Sequence, residues 1–151
     1  MLNNDISNRT APIIAFNVDN SLFVKEQKRD FIDNMAHKFN TYMKNDRYLY
    51  FHREVDSHFK AVVNNVWNSH TVTIVMVTMT PYEDELSELL YEEGVYHTRV
   101  ASVLDIKMLR DLVKFTFLYY FDTDRECLSV LSASNGLHMS EIGSIMGVRK
   151  R

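Results

Sequence analysis

The order in which apolar runs and amphipathic stretches alternate along this chain predicts an α/β fold with a mainly parallel sheet. Two observations carry that expectation. Three short runs rich in β-branched and aromatic residues, "PIIAF", "TVTIVMVT" and "FTFLYYF", read as buried strands. Between and after them lie stretches whose apolar residues recur at three- and four-residue steps, the spacing of a helix with one buried face. Strands separated by helix-length segments are joined by crossovers, and crossovers make parallel pairs.

Taken in order, a polar arm precedes a first strand at residues 12–16, and "NVDNS" follows as a polar loop. From Val24 to Lys44, Phe31, Met35 and Phe39 recur at four-residue steps beside Ile32, Ala36 and Met43, which predicts a helix. A second helix is expected over 54–67, where Val55, Phe59, Val62, Val63, Val66 and Trp67 repeat at helical spacing. The strand at 71–78 is the strongest in the sequence. Pro81 is placed in the first turn of a following helix, with Glu83, Asp84 and Glu85 at the positive end of its dipole and Gly94 at its close. Residues 95–100 read as a short strand, 106–115 as a helix and 115–121 as a third buried strand. A helix from about Arg125 to Ser134 is expected to stop at Asn135-Gly136.

Composition bounds what such a fold does. With 151 residues and 46% hydrophobic content, the chain suits one domain over 1–151 with a real core. A net charge of -3 marks neither a nucleic-acid coat nor a membrane surface. Cys127 is the only cysteine, so no intrachain disulfide and no cysteine-based zinc site exists, which suits a reducing interior. No apolar run approaches the roughly 20 residues of a membrane span, and the first residues lack a secretory pattern, so a cytoplasmic location away from membranes is expected. The six histidines form no helical metal-binding pair.

In open parallel sheets, ligands bind beyond the carboxyl ends of the strands. At those ends stand Asn17 and Asp19, then Thr78 and Thr80, then Asp122 and Asp124. Oxygen-rich edges of this kind suit a hard cation such as Mg²⁺ with a substrate phosphate. Asp and Thr are equally the residues that cap helices, so three ordinary strand-to-helix turns are the competing explanation.

The order of these residues resembles the haloacid dehalogenase-like (HAD) superfamily, known for Mg²⁺-dependent phosphatases of Rossmann-like three-layer fold. Its Asp-x-Asp-x-Thr motif after an apolar strand is matched by "IIAFNVDNSLF", with Asn17, Asp19 and Ser21. Its Ser or Thr closing a second strand is matched by Thr78 of "TIVMVT", its Lys by Lys107 of "VLDIKML", and its acidic pair by "YYFDTD". The segment from Asp105 to Leu137 is similar to the end of polynucleotide-kinase-type phosphatase domains, although Thr123 here separates the two acids.

The resemblance implies that position 17 is the nucleophile and Asp19 the general acid and base, with Asn17, Thr78 and Lys107 on the phosphoryl oxygens. It implies Mg²⁺ held by the side chain of Asn17, the backbone carbonyl of Asp19 and an acid of the Asp122–Asp124 pair, and a small helical cap or flanking helix pair over 24–70. Asn17 breaks the pattern: a neutral amide is a poor nucleophile and a weaker cation ligand than a carboxylate. The expected function is therefore that of a phosphatase relative with impaired chemistry that binds a phosphorylated small molecule, a nucleic-acid end or a protein partner. An active phosphatase using water under Asp19, and an interaction module, are the alternatives. For the latter, "MSEIGSIMGV" resembles the first half of a helix-turn-helix. The competing expectation is a terminal helix packing Ile142, Ile145 and Met146 on the core. The aromatic run at 47–59 is expected to leave Tyr48, Tyr50, Phe51 and His52 partly on the surface.

Overall fold

The structure, a computed structural model, describes residues 11–19, 21 and 55–147. The expected helix at 24–44, the run at 47–51 and most of the proposed cap lie outside these residues.

Among the described residues, five strands and five α-helices occur in this order: β1 (Ile13–Asn17), α1 (Ser57–Ser69), β2 (Thr73–Thr78), α2 (Glu83–Glu92), β3 (Arg99–Ser102), α3 (Ile106–Phe115), β4 (Tyr119–Asp122), α4 (Arg125–Leu131), β5 (Gly136–His138) and α5 (Ile142–Met146). A single 3-10 turn, Met139–Glu141, leads into α5. The strands form one sheet in the order β3-β2-β1-β4-β5, and every pair is parallel. This is a Rossmann-like three-layer α/β fold.

Strand alternation builds the layers. Ile14, Phe16, Ile74, Met76 and Phe121 point to one face and pack with Phe59, Val63 and Val66 of α1 and Leu86 and Leu90 of α2. Ala15, Val75, Val77 and Tyr120 point to the other and pack with Leu109 and Val113 of α3 and Leu131 of α4. Burial on both faces explains why β1 and β2 read as continuous apolar runs rather than alternating ones. Phe16 stands at the centre, edge-on to Phe59 at 6.2 Å and stacked with Phe121 at 5.6 Å. Helices α1 and α2 cover one face and α3 and α4 the other, so the order of strands reverses at β1, and the switch point lies between β1 and β4.

Several boundaries differ from expectation for local reasons. Pro81 precedes α2 instead of sitting in its first turn: the N-cap is Tyr82, and Thr80 Oγ1 accepts the Tyr82 N–H. The run 115–121 divides, because α3 continues through Phe115 and the N–H groups of Thr116 and Phe117 both reach Leu112 O. Phe115 is consequently exposed and only Tyr119–Asp122 enter the sheet. Helix α4 stops at Ser132, which takes the left-handed conformation at φ 54°. Gly136 instead opens β5, a strand the sequence pattern did not suggest. Of the C-terminal apolar residues, Ile142 is buried and Met146 packs against the core, while Ile145 is about 38% exposed.

Candidate functional site at the strand ends

The carboxyl ends of β1, β2 and β4 gather five of the residues singled out by sequence into two hydrogen-bonded groups, one on each side of β1. Parallel pairing sets this up. Phe16 is registered with Met76 and Phe121, so Asn17 emerges beside Val77 and one step past Phe121, next to Asp122. The Val18 N–H donates to Val77 O at 2.9 Å and carries the pairing beyond the strand before the chain turns away.

On the β2 side, Asp19 is half-buried and fastened to the end of that strand. Its Oδ1 accepts the Thr78 hydroxyl at 2.7 Å and its Oδ2 the Met79 N–H at 2.7 Å. Thr78 Oγ1 lies 2.8 Å from Thr80 Oγ1. A hydroxyl has one proton, and that of Thr78 goes to the carboxylate, so Thr80 donates to Thr78. The result is a directed relay from Thr80 through Thr78 to Asp19. It extends outward to β3, because Ser102 Oγ donates to Thr80 O at 2.6 Å and the Ser102 N–H donates to Glu83 at 2.8 Å.

On the β4 side, Asn17 and Asp122 are both buried. Between them stands the phenol of Tyr120, which shares their face of the sheet because it is two residues before Asp122. Asn17 Nδ2 donates to Tyr120 Oη at 3.1 Å, and Tyr120 Oη donates to Asp122 Oδ2 at 2.9 Å. The carboxylate can only accept, so it takes the phenol proton, and the amide must present its NH₂ to the phenol oxygen. Asp122 Oδ1 accepts the Asp124 N–H at 3.0 Å. Burial, followed by the Asp122 charge, raises the Tyr120 phenol well above its ordinary range. Cys127 lies beyond, its thiol pushed up to about 12 by burial first and by Asp122 second. A thiol held protonated in this way is not a nucleophile.

Asp124 and Lys107 stand apart from both groups. Asp124 Oδ1 accepts the N–H groups of Glu126 and Cys127, the work of an N-cap on α4. Lys107 lies in the first turn of α3, its side chain largely exposed, with its ion-pair partner Asp111 at 4.0 Å on the same helix. The open hollow it borders is lined by α3 and its flanks, including Asp105, Met108, Asp111 and Phe115, and by no strand-end residue. Among the described residues, no group of three or more His, Cys, Asp or Glu side chains is arranged to hold a metal ion. The Asn17 amide turns its hydrogens to Tyr120, Asp122 Oδ2 accepts the Tyr120 hydroxyl and Asp124 caps a helix, so these side chains do not fit Mg²⁺ as the family pattern would hold it.

Sequence reasoning brought Asn17, Asp19, Thr78, Thr80 and Asp122 to one edge and missed Tyr120. The signal was present in "YYFD", because a tyrosine two positions before a strand-end carboxylate shares its face. Ser21, the third position of the first motif, is buried, and its hydroxyl is one of two buried side-chain atoms among the described residues with no hydrogen-bond partner. The other is His70 Nδ1, whose ring partner nitrogen bonds Met146 O at 2.8 Å. No helix among the described residues is long and apolar enough to cross a membrane. No family model, curated protein or solved structure matches the chain.

Proposed function

We propose that this chain is a HAD-like phosphatase relative that has lost turnover and acts by binding a phosphorylated ligand at the carboxyl edge of its sheet. The observation that carries the reading is Asn17. It occupies the strand-end position at which the family pattern requires a nucleophilic carboxylate, and its amide is buried and engaged with Tyr120. An amide lacks the charge to attack phosphorus and does not act as an acid or base at neutral pH.

Direct attack by water under Asp19 is disfavoured by the same geometry. Each oxygen of that carboxylate accepts a hydrogen bond from the end of β2, which stabilises its charge and lowers its basicity toward a water. Ligand binding is supported by position, since the switch point between β1 and β4 is where folds of this class take their ligands. It is supported further by Ser21, a buried hydroxyl in the same loop whose proton finds no acceptor among the described residues. Magnesium has no part in this reading.

The test is phosphate release from nucleotides and a generic aryl phosphate, with and without Mg²⁺, beside calorimetric titration of the same compounds. The wild type is expected to release no phosphate, to bind at least one phosphate monoester, and to bind it more weakly once Ser21 is changed to Ala. Turnover by the wild type that disappears in Asp19→Ala would make the protein an enzyme.

A further inference from the structure

We propose that the Tyr120 hydroxyl is a built-in occupant of the position between Asn17 and Asp122, where a cation would have to bridge the two strands, so that recognition at this edge is independent of divalent metal. The inference rests on the reading of this edge as a ligand site and adds to it a second departure from metal-dependent chemistry, separate from the amide at 17.

The geometry is specific. Side chains at the ends of adjacent parallel strands, one step beyond the Phe16–Phe121 pair, stand side by side and would converge on a shared ion. The phenol oxygen is within hydrogen-bond distance of both, 3.1 Å from Asn17 Nδ2 and 2.9 Å from Asp122 Oδ2. Mg²⁺ needs oxygen ligands at about 2.0–2.1 Å in near-octahedral array. It could enter only by displacing the phenol and by turning the Asn17 amide, which presents hydrogens, not oxygen, toward this point. The phenol cannot step aside easily, because its ring is fully buried among Ala15, Val75 and Leu131 on the α3–α4 face. Tyr120 donates to the carboxylate and accepts from the amide, so both departures hold each other in place: the amide supplies the proton that a carboxylate at 17 would lack.

It follows that restoring the acid at 17 is not enough. Calorimetric titration with Mg²⁺ and with Mn²⁺ of the wild type, Asn17→Asp, Tyr120→Phe and the double variant separates the two contributions. Binding is expected to be tightest in Asn17→Asp/Tyr120→Phe, by at least about tenfold over either single variant. Binding by Asn17→Asp alone to the level of the double variant would overturn the role of Tyr120 and leave the reading of position 17 standing. A folded double variant that binds no cation would overturn the proposal, whereas the reading of this edge as a ligand site stands or falls separately on phosphate-monoester binding by the wild type. Should the variants fail to fold, the wild type still decides. The Asn17 side-chain amide signals in a ¹⁵N spectrum are expected to stay unmoved by millimolar Mg²⁺, and a shift or loss of those signals would overturn the proposal.

Discussion

At the scale of single residues, the buried chain from Asn17 through Tyr120 to Asp122 makes a clear energetic demand. Tyr120→Phe keeps the ring and removes one hydroxyl, leaving a buried carboxylate and a buried amide each short of a partner. A hydrogen bond to a charged group contributes about 1.5–3 kcal/mol, so urea unfolding should show a loss of that order. Cys127 reports on the same neighbourhood. With its thiol pushed from 9.0 to about 12, mainly by burial and next by Asp122, alkylation by iodoacetamide at pH 8 should run far more slowly than for free cysteine. The rate should climb as pH approaches the raised value, and Asp122→Asn should increase it. The linked stability term has a definite sign. Between the unfolded and folded pKa values the unfolded chain releases a proton that the folded chain keeps, so the contribution is complete below about pH 8.5 and declines as pH rises toward 12. None of this was visible in the motif. Residue types told where oxygen atoms would gather, but which hydroxyl donates to which acceptor depends on pairing between β1, β2 and β4, and register is a property of partners.

At the scale of elements, helix and strand ends decided what was legible. Helix α3 was placed to the residue, because Asp105 caps it by accepting the Met108 N–H and apolar Leu109 and Val113 mark one buried stripe. Strand β5 escaped notice because three residues carry no period. Asn135-Gly136 looked like a helix stop, yet its chemistry serves another element: Asn135 Nδ2 reaches the carbonyls of Val113, Phe117 and Leu118, closing the end of α3 and the turn into β4. Asn135→Ala should leave carbonyls at that end without a donor and reduce stability by about 1–3 kcal/mol, measurable by chemical denaturation. Asp124→Ala removes the cap of α4 and should cost about 1 kcal/mol. Since the side chain of Asp124 faces its own helix, that substitution should leave phosphate-monoester binding intact by calorimetry, whereas a metal-ligand role would predict the reverse.

For the whole molecule, the alternation of helices and strands was enough to anticipate a parallel, layered α/β sheet. What it lacked was the direction of winding, which depends on whether each helix crosses above or below. Here the reversal at β1 puts Phe16 under helices on one side and Ala15 under helices on the other. Phe16→Ala should therefore strike the joint between α1 and the centre of the sheet, lowering stability by about 3–5 kcal/mol in equilibrium unfolding. The central place of β1 carries a further consequence, for biosynthesis. Among the described residues the earliest strand in chain order is one flanked on both sides, by β2 at Thr73–Thr78 and by β4 at Tyr119–Asp122. Until residues 119–122 emerge, one edge of β1 has no partner, and exposed apolar strand edges are where nascent chains stick to one another. Of the described strands, the one made earliest thus waits until β4 is made to be enclosed, and the middle of this sheet is a late event in the life of each new molecule.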